Sequence, residues 1–413
     1  MSLLDSIRDV NTWERFYEYK TSLACPKALE KKLRDYIDRR EFIPVCEDIS
    51  AGKPFPLPER KVISKLYTKK KRIVYTYPER ENMVLKLLTY LMLRKYDGIF
   101  PDNLYSFRPE RTAKSALVAL RRTKNIGELY SYKVDVSDYF NSIDVDLLLP
   151  MLDETLKDDT ELFRFLSALL KEERVLDRGL VVTEKKGIMA GTPIAAFYAN
   201  LFLKDLDALF LEKNIPYARY SDDIIIFAKM SWETEELAAL VRAFLKERGL
   251  AVNPDKECFS SPDEGWTFLG FHCRGNVIDI APVSVEKLKK KMRRKTRALM
   301  RWSRRNGIEG EKAAKAFIRV FNRKLFENPI DNELTWTYWF FPVINTADSL
   351  NEIDRYAQEC IRYLISGKHT KARFNVRYED IKALGYKSLV HAYYAHTEEE
   401  RNRRGRSDPD GAV

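Results

Sequence analysis

Cysteine is scarce in this chain of 413 residues: Cys25, Cys46, Cys258, Cys273 and Cys360 are scattered, odd in number and never form a Cys-x-x-Cys pair. That pattern excludes a disulfide framework and a thiolate zinc site, and it predicts a reducing, cytoplasmic compartment. No run approaches the ~20 apolar residues that a bilayer span requires. The first residues, MSLLDSIRDVNTWERF, set acids and aromatics where a secretory leader needs a basic start and an unbroken apolar stretch. A soluble protein with no membrane partner is expected. Low-complexity sequence is confined to the polar end RNRRGRSDPDGAV, and disorder is expected over residues 399–413.

What is present is a globular composition. Apolar residues make up 45% of the chain, enough for several cores, and the length predicts two to three domains. Lysine and arginine total 72 against 61 acids, and the excess lies late: residues 1–280 hold 44 of each sign, whereas 281–413 hold 28 basic and 17 acidic. A basic segment serves nucleic acid, an anionic membrane surface or a solvated face, and charge alone leaves the three open.

Residues 27–42 (KALEKKLRDYIDRREF) place Leu29, Leu33, Tyr36, Ile37 and Arg40 at helical spacing, and PFPLPE at 54–59 ends any helix because proline removes a donor and fixes φ. A helical N-terminal extension over 1–60 is therefore expected. Beyond it, KRIVYTYP reads as a strand, 81–96 as an apolar-faced helix and SYKVDVSDYF at 131–140 as a strand entering a turn. YARYSDDIIIFAK at 217–229 reads as two strands about a tight turn, and 233–249 as an amphipathic helix. Strands interleaved with helices predict an α/β or α+β core. Residues 285–305 set Leu288, Met292, Leu299 and Trp302 near one helical face and carry eleven basic residues against one acid, Glu286. That ratio favours phosphate contact over a merely solvated face.

Hard divalent cations such as magnesium bind carboxylates together with water and substrate phosphates. Tyr220-Ser221-Asp222-Asp223 brings two adjacent acids to a strand turn ahead of Ile224, Ile225, Ile226 and Phe227, where like charges cost stability unless cations join them. Acidic residues also serve as plain turn formers. The second acidic strand end, Val134-Asp135-Val136, is harder to read that way, because an aspartate inside a buried strand is expensive unless paired or metal-bound.

The succession VDVSDYFNSI at 134–143, GIMAGTPIAAFYANLFL at 187–203, ARYSDDIIIF at 218–227, GLAVNPDKE at 249–257 and FLGF at 268–271 resembles the ordered palm motifs of reverse transcriptases. The bacterial group II intron, retron and abortive-infection types are the most similar. Lys65, Arg72 and SFRPERTAKSAL at 106–117 resemble the family's fingers.

The resemblance implies an α+β, right-hand polymerase fold, with fingers and palm over 61–275, a basic helical thumb over 280–325 and a C-terminal helical region over 326–398. It implies RNA-directed DNA synthesis with two Mg²⁺ ions, for which Mn²⁺ can substitute, held by Asp135, Asp222, Asp223 and the carbonyl of Val136. Lys256 is implied as a general acid near the pyrophosphate, its alternative being a solvated loop lysine. Lys65 and Arg72 would hold the triphosphate, Arg72 being equally suited to a surface ion pair. Phe140 would lie beneath the sugar, and Gly191 would let the backbone approach the nucleotide. Template and primer would meet Arg108, the Phe268–Phe271 grip with Gly270, and the thumb residues Lys290, Arg293, Arg294 and Arg297. FLGF is also an ordinary core strand. The aromatics Trp336, Trp339, Phe340, Tyr356, Tyr363, Tyr386, Tyr393 and Tyr394 either stack on RNA or form the core of a small helical domain.

One departure stands out. Where much of the family has Pro-Gln-Gly and a later Ser-Pro, this chain has Met189-Ala190-Gly191 and Ala195-Ala196, which puts template handling in question but not the metal chemistry. The implied partners are an RNA template, deoxynucleotides and a DNA product, with a dedicated noncoding RNA in antiphage defence as one setting. Template-independent or protein-primed synthesis of the abortive-infection kind, an RNA polymerase, and an RNA-binding maturase or scaffold with a relic palm are the alternatives. The oligomeric state stays open.

Overall fold

The computed structural model describes residues 2–22, 25, 27–64, 71–327 and 336–407. Lys65 lies outside them. The chain divides into two compact units, Met1–Glu264 and Gly265–Val413.

In the first unit, helices Leu3–Ser6, Val10–Ser22, Lys27–Asp38 and Phe42–Ser50 precede the first strand. They pack onto the main core of the unit. Trp13, Phe16, Ile37 and Phe42 are buried in the same cluster as Leu85, Leu88 and Met92 of helix Glu79–Lys95. Tyr36 Oη donates to the Arg80 carbonyl at 2.9 Å, and Ser2 Oγ and the Leu3 amide donate to Asp159 at 2.6 and 2.7 Å. Short amphipathic helices gain most of their stability by burying the apolar stripe against a neighbour, and here that neighbour is the main core. The proline-rich linker is packed as well, with the Phe55 ring edge-on to Tyr77 and Phe165.

Eight strands follow: β1 (Glu59–Ser64), β2 (Lys71–Thr76), β3 (Tyr130–Asp135), β4 (Arg174–Asp177), β5 (Leu180–Thr183), β6 (Tyr217–Tyr220), β7 (Asp223–Ala228) and β8 (Cys258–Ser260). They form two four-stranded sheets, β2-β1-β4-β5 in the fingers and β6-β7-β3-β8 in the palm. In the palm all neighbours are antiparallel, and the register sets Asp135 opposite Asp223 and Tyr220 opposite Asp223. Helix Ser231–Glu247 packs on β3 and β7, while helix Ala195–Phe202 is buried along most of its length. With apolar cover around it, β3 buries Tyr132, Val134 and Asp135 alike.

The second unit begins with a three-stranded antiparallel sheet, β9 (Trp266–Phe268), β10 (Phe271–Arg274) and β11 (Val277–Ile280), in the order β11-β10-β9. The end of the fingers-and-palm span expected over 61–275 is therefore packed with the second unit. The reason is local bonding: Ile278 exchanges hydrogen bonds with Asn345, and Asp279 accepts from Ser349. The basic helix runs Pro282–Asn306 and buries Leu288, Met292, Thr296 and Leu299. Trp302 is 43% exposed, at the rim of that stripe rather than on it. Among the C-terminal aromatics, Phe340 and Tyr393 are buried and Tyr394 is exposed, which favours the core reading for the first two. Asp354, buried, accepts from Tyr386 Oη, Ser388 Oγ and the amides of Leu389 and Val390, and so anchors the start of helix Leu389–Ser407. That helix continues past residue 399, where disorder was expected, because Glu398, Glu399, Glu400 and Arg401 are good helix formers.

Candidate active site

The palm hairpin turns through only two residues, Ser221 and Asp222, between β6 and β7. Such a turn needs a positive φ at its first central position, normally supplied by glycine. Here Ser221 adopts φ +61°, a conformation that costs a serine free energy. What holds it lies underneath. Arg219 is fully buried, and its guanidinium forks onto Asp207 of helix Lys204–Glu212 at 2.8 and 2.5 Å. The same guanidinium donates to the carbonyls of Ser221 at 3.3 Å, Ala199 at 3.4 Å and Asn200 at 3.1 Å. Burial alone would lower the arginine's pKa, but the Asp207 carboxylate raises it above its ordinary value and keeps it charged. Tyr217 Oη donates to Asp207, and Ser106 Oγ accepts from the Ser221 amide at 2.8 Å while donating to Asn200 Oδ1.

Above this support sit the carboxylates. Asp135 is 4% exposed, and the carbonyl of Asp222 accepts from the Val136 amide at 3.2 Å, which closes the end of β3 against the turn. Lys256 Nζ is paired with Asp135 Oδ2, and the Asn253 amide donates to the Asp135 carbonyl at 2.7 Å. Lys133 Nζ lies 3.8 Å from Asp223. Burial first, then the charges of Asp135 and Asp223, push the Asp222 carboxyl up to about 6. Burial also raises Asp223, against the pull of Lys133.

Among the described residues no three His, Cys, Asp or Glu side chains converge as a ready-made metal cage. Lys256 stands at Asp135 in the place a cation would take. The donor set still fits a hard divalent cation, since it consists of carboxylate oxygens whose mutual repulsion such an ion relieves.

The loop Lys186–Thr192 closes the site on the fingers side, and its backbone bonds tie it to both neighbours. A Cβ on Gly187 would stand 2.4 Å from the Phe140 carbonyl, the same oxygen that accepts from the Ile188 amide at 2.9 Å. Asn141 accepts from the Ala190 amide and donates to the Ile73 carbonyl of β2, while the Tyr75 amide donates to the Ala190 carbonyl at 2.8 Å. Gly191, at φ +101°, passes 3.1 Å from Val74 and Tyr75 by the same measure, so its role is close backbone approach to β2. Phe140 is half-buried, its ring edge-on to Tyr139, whose hydroxyl donates to the Ala199 carbonyl. Arg72 is exposed on β2.

Two expected contacts, Arg108 and Phe268, are enclosed by the protein itself. Arg108 is buried, forked onto Asp97 at 2.8 and 3.0 Å and bonded to the Pro101 carbonyl at 2.7 Å, so it braces the fingers and cannot offer its guanidinium to a template. Phe268 is fully buried, and Gly270, at φ +86°, faces Ser284 and Phe340. Phe268 thus belongs to the core of the second unit, which favours the core reading of FLGF for that residue, while Gly270 is half-buried on the turn into β10. On the basic helix Lys290, Arg293, Arg294 and Arg297 are exposed, with Arg293 Nε donating to Tyr356 Oη at 3.0 Å. Sequence reasoning missed Arg219, Asp207, Ser106 and Asn141. The available signal was a charge inside each of two apolar segments, YARY and DLDALF.

A four-stranded antiparallel sheet with acids meeting at the ends of its two central strands defines a polymerase palm. The sequence model of the reverse transcriptase (RNA-dependent DNA polymerase) family matches residues 61–273, and the chain belongs to that family. The group II intron-encoded protein LtrA of Lactococcus lactis subsp. cremoris is 22% identical over 211 residues, covering 50% of this chain and 34% of that protein. Protein YkfC of Escherichia coli (strain K12) is 23% identical over 268 residues, 54% of this chain and 68% of that one. This chain thus spans about a third of the intron-encoded relative. Among solved structures, apo telomerase from Candida tropicalis aligns with a TM-score of 0.46 and 11% identity, over 80% of this chain and 69% of that chain.

Two outcomes are expected from this geometry. Arg219→Met leaves Asp207 buried without its partner and should cost about 3–5 kcal/mol in urea unfolding, whereas adding Asp207→Leu removes the stranded charge and recovers much of the loss. A single variant within about 1 kcal/mol of the parent would refute the support role. Asp222 provides the second. Its folded pKa lies above the unfolded value, so the charged carboxylate penalises folding increasingly as pH rises from about 4 to about 6 and fully above that. Asp222→Asn should therefore stabilise the metal-free protein by about 2 kcal/mol at pH 7.5 and by little at pH 4; equal gains at both pH values would contradict the assignment.

Proposed function

We propose that this chain is an RNA-directed DNA polymerase that extends a DNA strand from deoxynucleotides on an RNA template. The observation that carries this reading is the register pairing of Asp135 with Asp223 beside the Asp222 turn, within the segment matched by the family. Asp135, Asp222 and the Val136 carbonyl would hold two Mg²⁺ or Mn²⁺ ions, with Asp223 assisting. Bound there, such ions activate a 3′-hydroxyl and neutralise the departing pyrophosphate.

The remaining steps are assigned to the chain's own groups. Arg72, together with Lys65, would hold the triphosphate through charge-assisted hydrogen bonds. Phe140 would fill the volume that a 2′-hydroxyl needs. Lys256, now against Asp135, would be the proton donor to the pyrophosphate. Lys290, Arg293, Arg294 and Arg297 would grip backbone phosphates. A dedicated noncoding RNA in antiphage defence is inferred from resemblance, and a cytoplasmic setting from the scattered cysteines; among the described residues no helix is long and apolar enough to cross a membrane.

In primer extension with Mg²⁺, the Asp222→Ala, Asp223→Ala double variant should lose nucleotide incorporation while its circular dichroism and RNA retention match the parent. Activity surviving in that variant would sink the metal assignment. The sugar gate is tested separately. The parent should prefer dGTP over GTP by roughly a hundredfold or more in kcat/KM, and Phe140→Val should bring the ratio down to about tenfold or less. No preference in the parent would point to an RNA polymerase, and an unchanged ratio in the variant would remove Phe140 from the site.

A further inference from the structure

The second unit encloses a cavity of about 260 Å³ between the basic helix Pro282–Asn306 and helix Asp348–Ser366, with the short turn Lys371–Asn375 at its side. Its charge is lopsided. Arg293, Arg297 and Arg373 line it with three guanidinium groups against the single carboxylate of Glu359, so the arginines exceed the acid by two charges. Like charges gathered round a half-enclosed space repel unless an anion joins them.

Arg373 adds an independent sign. Its Nη1 donates to the His369 carbonyl at 2.8 Å, which fixes the side chain, yet its Nε is buried without any hydrogen-bond partner among the described residues. A buried donor left unpaired pays its full desolvation, a cost that a shift of the side chain onto a bound anion would remove. Arg293 is also oriented in advance, by its bond to Tyr356 Oη. On the same lining, the Tyr363 and His369 rings stack with centroids 3.9 Å apart and planes 19° apart, a flat π surface of the kind on which bases stack.

These features select one ligand chemistry. Guanidinium forks match phosphate oxygens. A terminal phosphate monoester carries nearly two negative charges at neutral pH, while each internal diester carries one. The excess of two positive charges matches the monoester, and the volume, just under the usual range of small-ligand sites, suits one nucleotide rather than a duplex. We propose that this cavity is a subsite for a nucleotide bearing a 5′-phosphate monoester, the phosphate held by Arg293, Arg297 and Arg373 and the base laid against the Tyr363–His369 pair. The proposal rests on the polymerase reading in taking a nucleic-acid strand end as the natural source of that nucleotide.

The test is fluorescence anisotropy of the full chain with two short single-stranded RNAs of one sequence beginning with G, one 5′-phosphorylated and one 5′-hydroxylated. The phosphorylated strand should bind about tenfold more tightly, and Arg373→Gln should cut that advantage to about twofold or less while leaving affinity for the hydroxylated strand unchanged. Should Arg373→Gln lose its helical signal, His369→Ala, at an exposed position, should still lower the advantage to about threefold. Displacement by guanosine 5′-monophosphate would assign the cavity to free nucleotides and resistance to it would assign strand ends, with the same phosphate chemistry in both cases. Equal affinity for the two strands in the parent, or an advantage preserved in both variants, overturns the proposal. Primer extension on a hydroxyl-ended template runs alongside. Extension without discrimination removes the subsite and leaves the polymerase reading standing, and discrimination without extension does the reverse.

Discussion

The buried pair of Arg219 and Asp207 carries the catalytic hairpin. Ion pairs away from water are poor stabilisers in net terms, because desolvation offsets most of their attraction. This one has a second use. Its guanidinium reaches the carbonyls of Ala199, Asn200 and Ser221 at once, so a single rigid fork joins helix Ala195–Phe202 to the turn that presents Asp222. A leucine at that position could fill the volume but would leave those carbonyls without donors. The strained φ of Ser221 persists because the backbone on both sides of it is over-determined.

On that platform the chain tolerates an arrangement that free energy disfavours. Asp135, Asp222 and Asp223 crowd at two strand ends, and among the described residues the ammonium groups of Lys256 and Lys133 soften the repulsion. Neither lysine is enclosed with its partner as Arg219 is with Asp207. The contrast separates two kinds of charge in one sheet: a closed pair that positions, and an open set that awaits a counter-ion.

Much of this was legible in the residues because it is local. Period-two runs marked β2, β3, β6 and β7, proline ended the N-terminal helices, and Asp135, Asp222 and Asp223 fell on strand ends where their burial had to be explained. What escaped depends on contacts between distant segments. Arg108 sits in a motif that resembles a template-binding one, yet its fork closes on Asp97, eleven residues earlier, after the chain has doubled back. Phe268 has the residue type of a grip, but the sheet it enters is bonded to Asn345 and buries its ring. The N-terminal helices read as a preface because amphipathic spacing reveals an apolar face and not which surface covers it. Arg219 and Asp207 were visible only as two oddities, since nothing in either segment names the other as partner.

Ala190 stands where many relatives carry glutamine, and both its backbone groups are engaged, the amide by Asn141 and the carbonyl by the Tyr75 amide. The loop is thus anchored through atoms that nearly every amino acid possesses, with only proline barred for want of an amide. Its path is therefore insulated from the identity of its side chain. Lineages can exchange the residue at this point, and with it whatever the residue touches, without renegotiating how fingers and palm are joined. In evolutionary terms the scaffold at this position places little constraint of its own on which side chain stands there.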